Sequence, residues 1–391
     1  MAVARVNNGA LALSLDLSAI PMRPGGAGYY AIELARALSQ RDDVAITALT
    51  RHDDAARWAD LTGGRADVRP VVPDARPARL AYEQVWLPHV VNTLGVDVHH
   101  GPHYTMPERS RVPCVVTIHD CTFFDHPEWH LRSKAFVFRR AIRRASLKAA
   151  ALVCVSEVTA SALRTSCEVR APIVVAPHGV DHDRFSPNEP SAGADRAILE
   201  TVGVPTDRPL IAFVGTLEPR KGVAPLVSAF DTLADVNRDV VLVLGGQIGW
   251  GLAEVEATLG RARHQERIIR TGYLPDPAVP ALLRAASVVA CPALAEGFGL
   301  PALEAMACGA PLVTTEGTAM AEMAGDAAWL VRPGDAVSLG DALETVLEQG
   351  PSSPEVEAHR ALGLALAATH TWAASAQRHL EAYRIARAGT N

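Results

Sequence analysis

Residues 296–304 read Glu296-Gly297-Phe298-Gly299-Leu300-Pro301-Ala302-Leu303-Glu304 and run on into Ala305-Met306-Ala307-Cys308-Gly309-Ala310-Pro311. Pro301 suits the first helical position, where its missing N–H would have had no partner. Gly309 suits the stop, and Pro311 prevents the helix from continuing. The apolar runs Ser287–Cys291 and Leu312–Thr314 on either side read as strands. Strand, glycine turn, helix and strand make the unit from which parallel α/β sheets are built.

The same alternation extends outward. Further strands are expected at Ala10–Leu17, Val44–Leu49, Val112–Ile118, Leu152–Val155 and Ile173–Val175, and a second series at Leu210–Val214, Val240–Leu244, Ile268–Arg270 and Ala328–Val331. Residues 176–208 lack periodicity and are rich in Pro and Gly, as a linker would be. A chain of 391 residues exceeds what one core normally supports. The expected fold is α/β, with two Rossmann-like doubly wound parallel-sheet domains facing each other across a cleft. Domains are expected at 1–180 and 209–370, with a linker at 181–208 and a terminal helix within 371–391.

A net charge of −6 argues against nucleic acid as the partner. Six cysteines, at 114, 121, 154, 167, 291 and 308, form no C-x-x-C pair and read as reduced thiols in a reducing compartment. No leader and no run of roughly 18 apolar residues is evident. A cytoplasmic location is expected; the oligomeric state is not legible.

Gly297 and Gly299 bare the backbone where a helix start offers N–H groups and partial positive charge, a place for an anion such as a pyrophosphate. Glu296 and Glu304 repel a bare phosphate but accept hydrogen bonds from hydroxyls, so the segment suggests a ligand part phosphate and part polyol. A capped turn with an acidic first turn accounts for each feature singly. The loop Pro24-Gly25-Gly26-Ala27-Gly28 enters a helix after a strand, yet lacks the dinucleotide spacing. His119-Asp120 follows a strand end, either as a hydroxyl-binding pair or as structure. Gly215-Thr216-Leu217-Glu218-Pro219-Arg220-Lys221-Gly222 puts two adjacent cations after the first strand of the second series, suited to a diphosphate or simply solvated. Asp181-His182-Asp183 spells D-x-D but lies in the linker, so no metal site is expected. Residues 132–148 carry seven cations (Arg132, Lys134, Arg139, Arg140, Arg143, Arg144, Lys148) and no acid. A stripe of Leu131, Ala135, Phe138, Ile142, Ala145, Ala149 and Leu152 would face the core. The basic face is either solvated or docks on anionic lipid headgroups at the inner face of a membrane or on a phosphate-bearing acceptor.

These elements, in this order, resemble a retaining glycosyltransferase of family 4 with the GT-B architecture. The resemblance rests on the 25–28 loop, His119-Asp120, Pro177-His178-Gly179-Val180-Asp181, the 215–222 stretch and Glu296–Glu304. It implies an acceptor-binding first domain, a nucleotide-sugar-binding second domain, and a C-terminal helix returning to the first. Glu296 would bind hydroxyls of the transferred sugar and Glu304 the ribose. Backbone groups at Phe298, Gly299 and Leu300 would hold sugar and diphosphate, with Gly215 nearby. Arg220 and Lys221 would neutralise the leaving diphosphate, and the base would lie near Tyr273 and Leu274. Gly25 and Gly26 would close over the donor, and His119 would sit beside the anomeric carbon. The acceptor would meet Tyr29, His103, Tyr104 and Asp120. Many relatives carry Arg after the glycine matching Gly215, whereas this chain has Thr216, which places more of the phosphate binding on Arg220 and Lys221.

The branch resembled is rich in mannosyltransferases, so GDP-mannose is the expected donor and a saccharide or glycolipid hydroxyl the acceptor, as in polysaccharide biosynthesis. A UDP- or ADP-glucose donor is the alternative; an epimerase, a phosphorylase or a non-catalytic sensor of the same architecture lies further off. The resemblance gives Glu296 a hydroxyl-binding role rather than that of nucleophile. The implied route is same-face attack without metal or other cofactor.

Overall fold

The computed structural model describes residues 9–22 and 24–389, the side chains of Arg76, Pro77, Leu80 and Leu252 excepted. The first eight residues, where no leader is expected, and the last two of the 371–391 segment lie outside the described residues. The chain divides into two units, Met1–Gly179 with Trp372–Asn391, and Val180–Thr371.

Unit 1 holds a seven-stranded sheet of β1 (Leu11–Asp16), β2 (Val44–Arg51), β3 (Asp67–Val72), β4 (Val98–Gly101), β5 (Cys114–Ile118), β6 (Ala151–Cys154) and β7 (Ile173–Val175). The order is β3-β2-β1-β4-β5-β6-β7, and every pairing is parallel. The chain winds outward from β1 and restarts at β4, so the gap between their carboxyl ends is a topological switch point. Two strands escape the sequence pattern. β3 is a polar edge strand containing Pro70. β4 is Val98-His99-His100-Gly101, all buried, because its histidines find partners far away in the chain.

One group of partners forms a continuous chain through the core. The Ser375 carbonyl can only accept, so His379 Nδ1 donates to it at 2.7 Å. Burial holds the pKa values of His379 and His100 well below the usual value, so each ring has one donor and one acceptor. His379 Nε2 therefore accepts from Tyr30 Oη at 2.8 Å, and Tyr30 Oη accepts from Thr117 Oγ1 at 2.7 Å. Thr117 in turn accepts from His100 Nε2 at 2.8 Å. His100 Nδ1 accepts from Tyr383 Oη at 2.8 Å. Every bond runs one way and the members are buried, as a buried polar network requires. The chain fastens the terminal helix Trp372–Ala388 to β4, β5 and the helix Gly26–Ser39. Ala376, Leu380 and Tyr383 of that helix join the core of Leu13, Leu15, Val115 and Val153.

Unit 2 holds β8 (Leu210–Val214), β9 (Val241–Gly245), β10 (Ile268–Gly272), β11 (Val288–Cys291), β12 (Leu312–Thr315) and β13 (Ala328–Val331). Their order is β10-β9-β8-β11-β12-β13, again all parallel. The switch point falls between β8 and β11. Residues 181–208, expected as a linker, form part of this unit. They carry the helix Ala194–Thr201, whose Asp195 takes Arg284 Nε and Nη2 at 2.6 Å each. Periodicity missed this helix because it is short and flanked by prolines. The D-x-D triplet forms a local turn, in which Asp181 Oδ1 accepts from the backbone of Asp183 at 3.1 Å and Arg184 at 3.3 Å.

Candidate active site

The carboxyl edge of the unit 2 sheet gathers the charged residues singled out in the sequence. After β8, Gly215 donates its N–H to the Gly245 carbonyl at 2.9 Å, and a single turn, Pro219–Lys221, presents Arg220 and Lys221. After β11 the chain leads to Glu296 and then to the helix Leu300–Ala307. Because β8 and β11 are neighbours, these loops meet. Lys221 Nζ pairs with Glu296 Oε2, and Arg220 Nη1 lies 3.3 Å from the same oxygen. The Leu294 N–H donates to the Arg220 carbonyl at 2.8 Å. Glu218, not singled out in the sequence, takes Arg220 Nε at 2.5 Å. Burial alone would raise the pKa of Glu296; the charges of Lys221 and Arg220 outweigh it and hold the carboxylate below its usual range.

Two glycines permit this closeness. Gly222 has φ +72°, and a Cβ there would lie 2.0 Å from the Pro292 carbonyl oxygen. Gly222→Ala is therefore expected to push the β8 and β11 loops apart and lower kcat/KM by about a hundredfold, as an ångström of misplacement does elsewhere. Steady-state kinetics with a check of the melting temperature measures it; wild-type kinetics would show that the approach does not hold the site. Gly299, at φ +96°, begins the helix Leu300–Ala307, and a Cβ on it would lie 2.2 Å from Met320 Cγ. No described side chain caps this helix, so its first turn is suited to an anion. The helix ends in a Schellman motif, with Ala310 N–H on the Ala305 carbonyl and Gly309 N–H on that of Met306.

Glu304 is the fifth residue of this helix and not in its first turn, which holds no acid; burial pushes its pKa up to about 7 against the charge of Arg184. The Phe298 side chain is buried, and its ring sits 6.2 Å from that of His370. Leu274 is buried and Tyr273 exposed, both just beyond β10. Thr216 is exposed.

Unit 1 gathers its own group at the β1/β4 edge. A Cβ on Gly25 or Gly26 would meet nothing among the described residues within 4 Å. Tyr29 is half-buried. His119 Nε2 donates to the Pro102 carbonyl at 2.8 Å, and burial lowers the pKa of the ring, opposed by that bond and by Asp120. Its ring meets Tyr30 edge-on at 5.0 Å, with Tyr104 at 5.5 Å and His103 at 5.8 Å. Tyr104 has φ +64°, the centre of a γ-turn closed by Thr105 N–H on the His103 carbonyl at 2.8 Å. Such strain in a non-glycine residue clusters at functional sites. Asp120 is bound locally: its Oδ1 accepts from Thr122 N at 3.1 Å and Thr122 Oγ1 at 2.7 Å.

Two family models match the chain, "Glycosyltransferase Family 4" over residues 24–184 and "Glycosyl transferases group 1" over residues 195–361. The O-antigen chain mannosyltransferase B of Escherichia coli is 28% identical over 290 residues, 74% of each chain. The D-inositol 3-phosphate glycosyltransferase of Mycolicibacterium smegmatis is 36% identical over 189 residues, 47% of this chain and 42% of that one; the match spans less than half of that enzyme. The 2-deoxystreptamine glucosyltransferase of Streptomyces kanamyceticus is 30% identical over 247 residues, 59% of this chain and 62% of that one. Among solved structures, HepE of Anabaena in complex with UDP-glucose superposes with a TM-score of 0.74 at 21% identity, covering 95% of this chain and 98% of that one. WaaG, a glycosyltransferase of lipopolysaccharide biosynthesis, gives 0.73 at 18% identity, covering 94% and 98%. The solved structures share the GT-B fold, and with the two family models they make the chain a glycosyltransferase of the GT-B type. Its first half is similar to glycosyltransferase family 4 and its second to the group 1 glycosyl transferases, as in a family 4-like protein.

Proposed function

We propose that the protein transfers a hexosyl group, mannosyl from GDP-mannose, to a hydroxyl of a saccharide or glycolipid with retention of configuration. The observation that carries this reading is the convergence of Arg220 and Lys221 on Glu296 beside an uncapped helix N-terminus. Two cations and a helix start receive a diphosphate, while the carboxylate between them accepts from sugar hydroxyls. Glu304 then takes the ribose hydroxyls, Phe298, Gly299 and Leu300 contribute backbone, and the base lies by Tyr273 and Leu274. The placing of Gly25 and Gly26 over the donor, and of His119 beside the sugar, rests on the family resemblance. So does an acceptor site at Tyr29, His103, Tyr104 and Asp120. The mannosyltransferase relative supports the sugar.

In the reaction the C1–O bond to the diphosphate breaks and the acceptor oxygen bonds to C1 on the same face. The acceptor's proton passes to the departing phosphate oxygen. Glu296, drawn onto Lys221 and Arg220, is a positioning group and not the nucleophile of a double displacement. Charge developing on the diphosphate is stabilised by those cations and the helix N-terminus.

Titration with GDP, UDP and ADP tests the donor. GDP is expected to bind tightest, and a clear preference for UDP would leave a glucosyltransferase as the better reading. The same titrations carry a pH signature. Glu304 must be ionised to accept two hydroxyls, yet its pKa in the free protein is about 7. Below pH 7 binding must expel its proton, so affinity is expected to fall up to tenfold per pH unit. Glu304→Gln removes this component; identical pH profiles in the two proteins would remove Glu304 from the ribose site.

A further inference from the structure

The helix Arg132–Lys148 presents a surface that glycosyl transfer does not use. Leu131, expected from its spacing to face the core, is 74% exposed, and Phe136 is 71% exposed. Both stand beside the cations. Arg132, Phe136, Arg139, Arg140 and Arg143 recur at the spacing of one helical face, and they line a cavity of about 250 Å3. Around it the arginines have protein partners. Arg139 Nε donates to the Phe123 carbonyl at 2.5 Å, the Arg143 guanidinium lies 5.3 Å from the centre of the Phe124 ring, and Arg140 Nη1 reaches Glu108 at 2.7 Å.

The charge here is lopsided. The helix contributes seven cations and no acid. The acids on segments packed near it are Glu108, shared by Arg140 and Arg144, Glu128, paired with His126 at 3.2 Å, and Asp125. The chain as a whole carries −6, so this positive face is a local concentration against the general charge. Clustered guanidiniums suit phosphates, and large exposed apolar side chains among them suit the acyl boundary below those phosphates. A soluble phosphate would have no use for Leu131 and Phe136. No described helix is long and apolar enough to cross a membrane, so such contact is peripheral.

We propose that this face docks on an anionic phospholipid bilayer, with a lipid phosphate in the arginine-lined cavity and Phe136 and Leu131 inserted beside it. The proposal does not depend on the reaction assigned above, since its test uses neither donor nor acceptor. The protein is floated with phosphatidylcholine vesicles and with vesicles containing about one-third phosphatidylglycerol. Partitioning is expected to be at least tenfold greater into the anionic vesicles and to weaken with salt. In a combined variant, Arg132→Gln with Arg140→Gln and Arg143→Gln, it is expected to fall about a hundredfold, roughly fivefold per cation. Phe136→Ser is expected to lower it several-fold without changing the salt dependence. Because these side chains are exposed or half-buried, unchanged melting temperatures check that the variants fold. Equal partitioning into both vesicle types, wild-type binding by the arginine variant, or binding to an RNA oligonucleotide in preference to the vesicles would overturn the proposal. So would wild-type partitioning by Phe136→Ser, which would leave no inserted side chain.

Discussion

Lys221→Ala and Arg220→Ala are each expected to lower kcat by about two to three orders of magnitude, the loss that follows removal of one preorganised charge contact elsewhere. The physical reason is where charge develops. As the glycosidic bond opens, negative charge grows on the diphosphate, and only contacts stronger then than in the ground state accelerate the step. Lys221 pairs with Glu296, while Arg220 is braced by Glu218 at 2.5 Å and Glu296 at 3.3 Å. Neither cation must be ordered at the moment of reaction. The loss should therefore appear in kcat more than in KM. Rates are measured with and without EDTA, and chelation is expected to change nothing, because the cations supply the charge a divalent ion would. Full activity in either variant would refute the assignment. Glu296 keeps one cationic neighbour in each variant, so a melting curve near that of the wild type is expected and separates lost catalysis from lost fold.

Acidification is expected to unfold unit 1 between pH 6.5 and 4. Burial pushes His379 down to about 4, opposed by its bond to the Ser375 carbonyl. It pushes His99 to about 4, opposed by Asp16, and His103 to about 3, with the charge of His119 adding to the effect. All three have an ordinary value of 6.5. Below 6.5 the unfolded chain takes up protons that the folded one refuses, so stability falls as pH falls, until the folded values are reached. A shift of this size is worth about 3 kcal/mol per group. Glu83, pushed up to about 7 mainly by burial, works the other way over much of the same range and offsets about one histidine. The remainder is comparable to the stability of a typical domain. Protonated His379 would also lose the lone pair that accepts from Tyr30, breaking the chain that fastens the terminal helix. Circular dichroism against pH, with limited proteolysis to locate the first cuts, measures this. A melting temperature unchanged down to pH 4 would show that these histidines are not held neutral.

Some of this was legible in the sequence because its cause is local. Strands buried on both faces stood out as apolar runs, and the helix beginning at Leu300 was marked by its own Gly299, Pro301 and Gly309. β4 was not legible: two histidines count as polar until Ser14, Thr117 and Tyr383 satisfy them, and those partners lie up to 283 residues away. The exposure of Leu131 was hidden for a related reason. Helical spacing names a face but not where the covering partner stops. The helix within 181–208 was hidden because its support, Arg284, comes from another element.

The amino-acid sequence by itself determined two doubly wound parallel sheets and the residue types of a diphosphate and polyol site. Period, turn chemistry and capping act over a few residues and need no distant partner. The tertiary structure alone decided that Arg220 and Lys221 converge on Glu296, 76 and 75 residues away. It also decided that Glu304 titrates near neutrality and that the terminal helix is tied into unit 1 by a one-way hydrogen-bond chain. Each of these depends on which strands are neighbours and on what water is excluded from, and both are properties of the packed sheet.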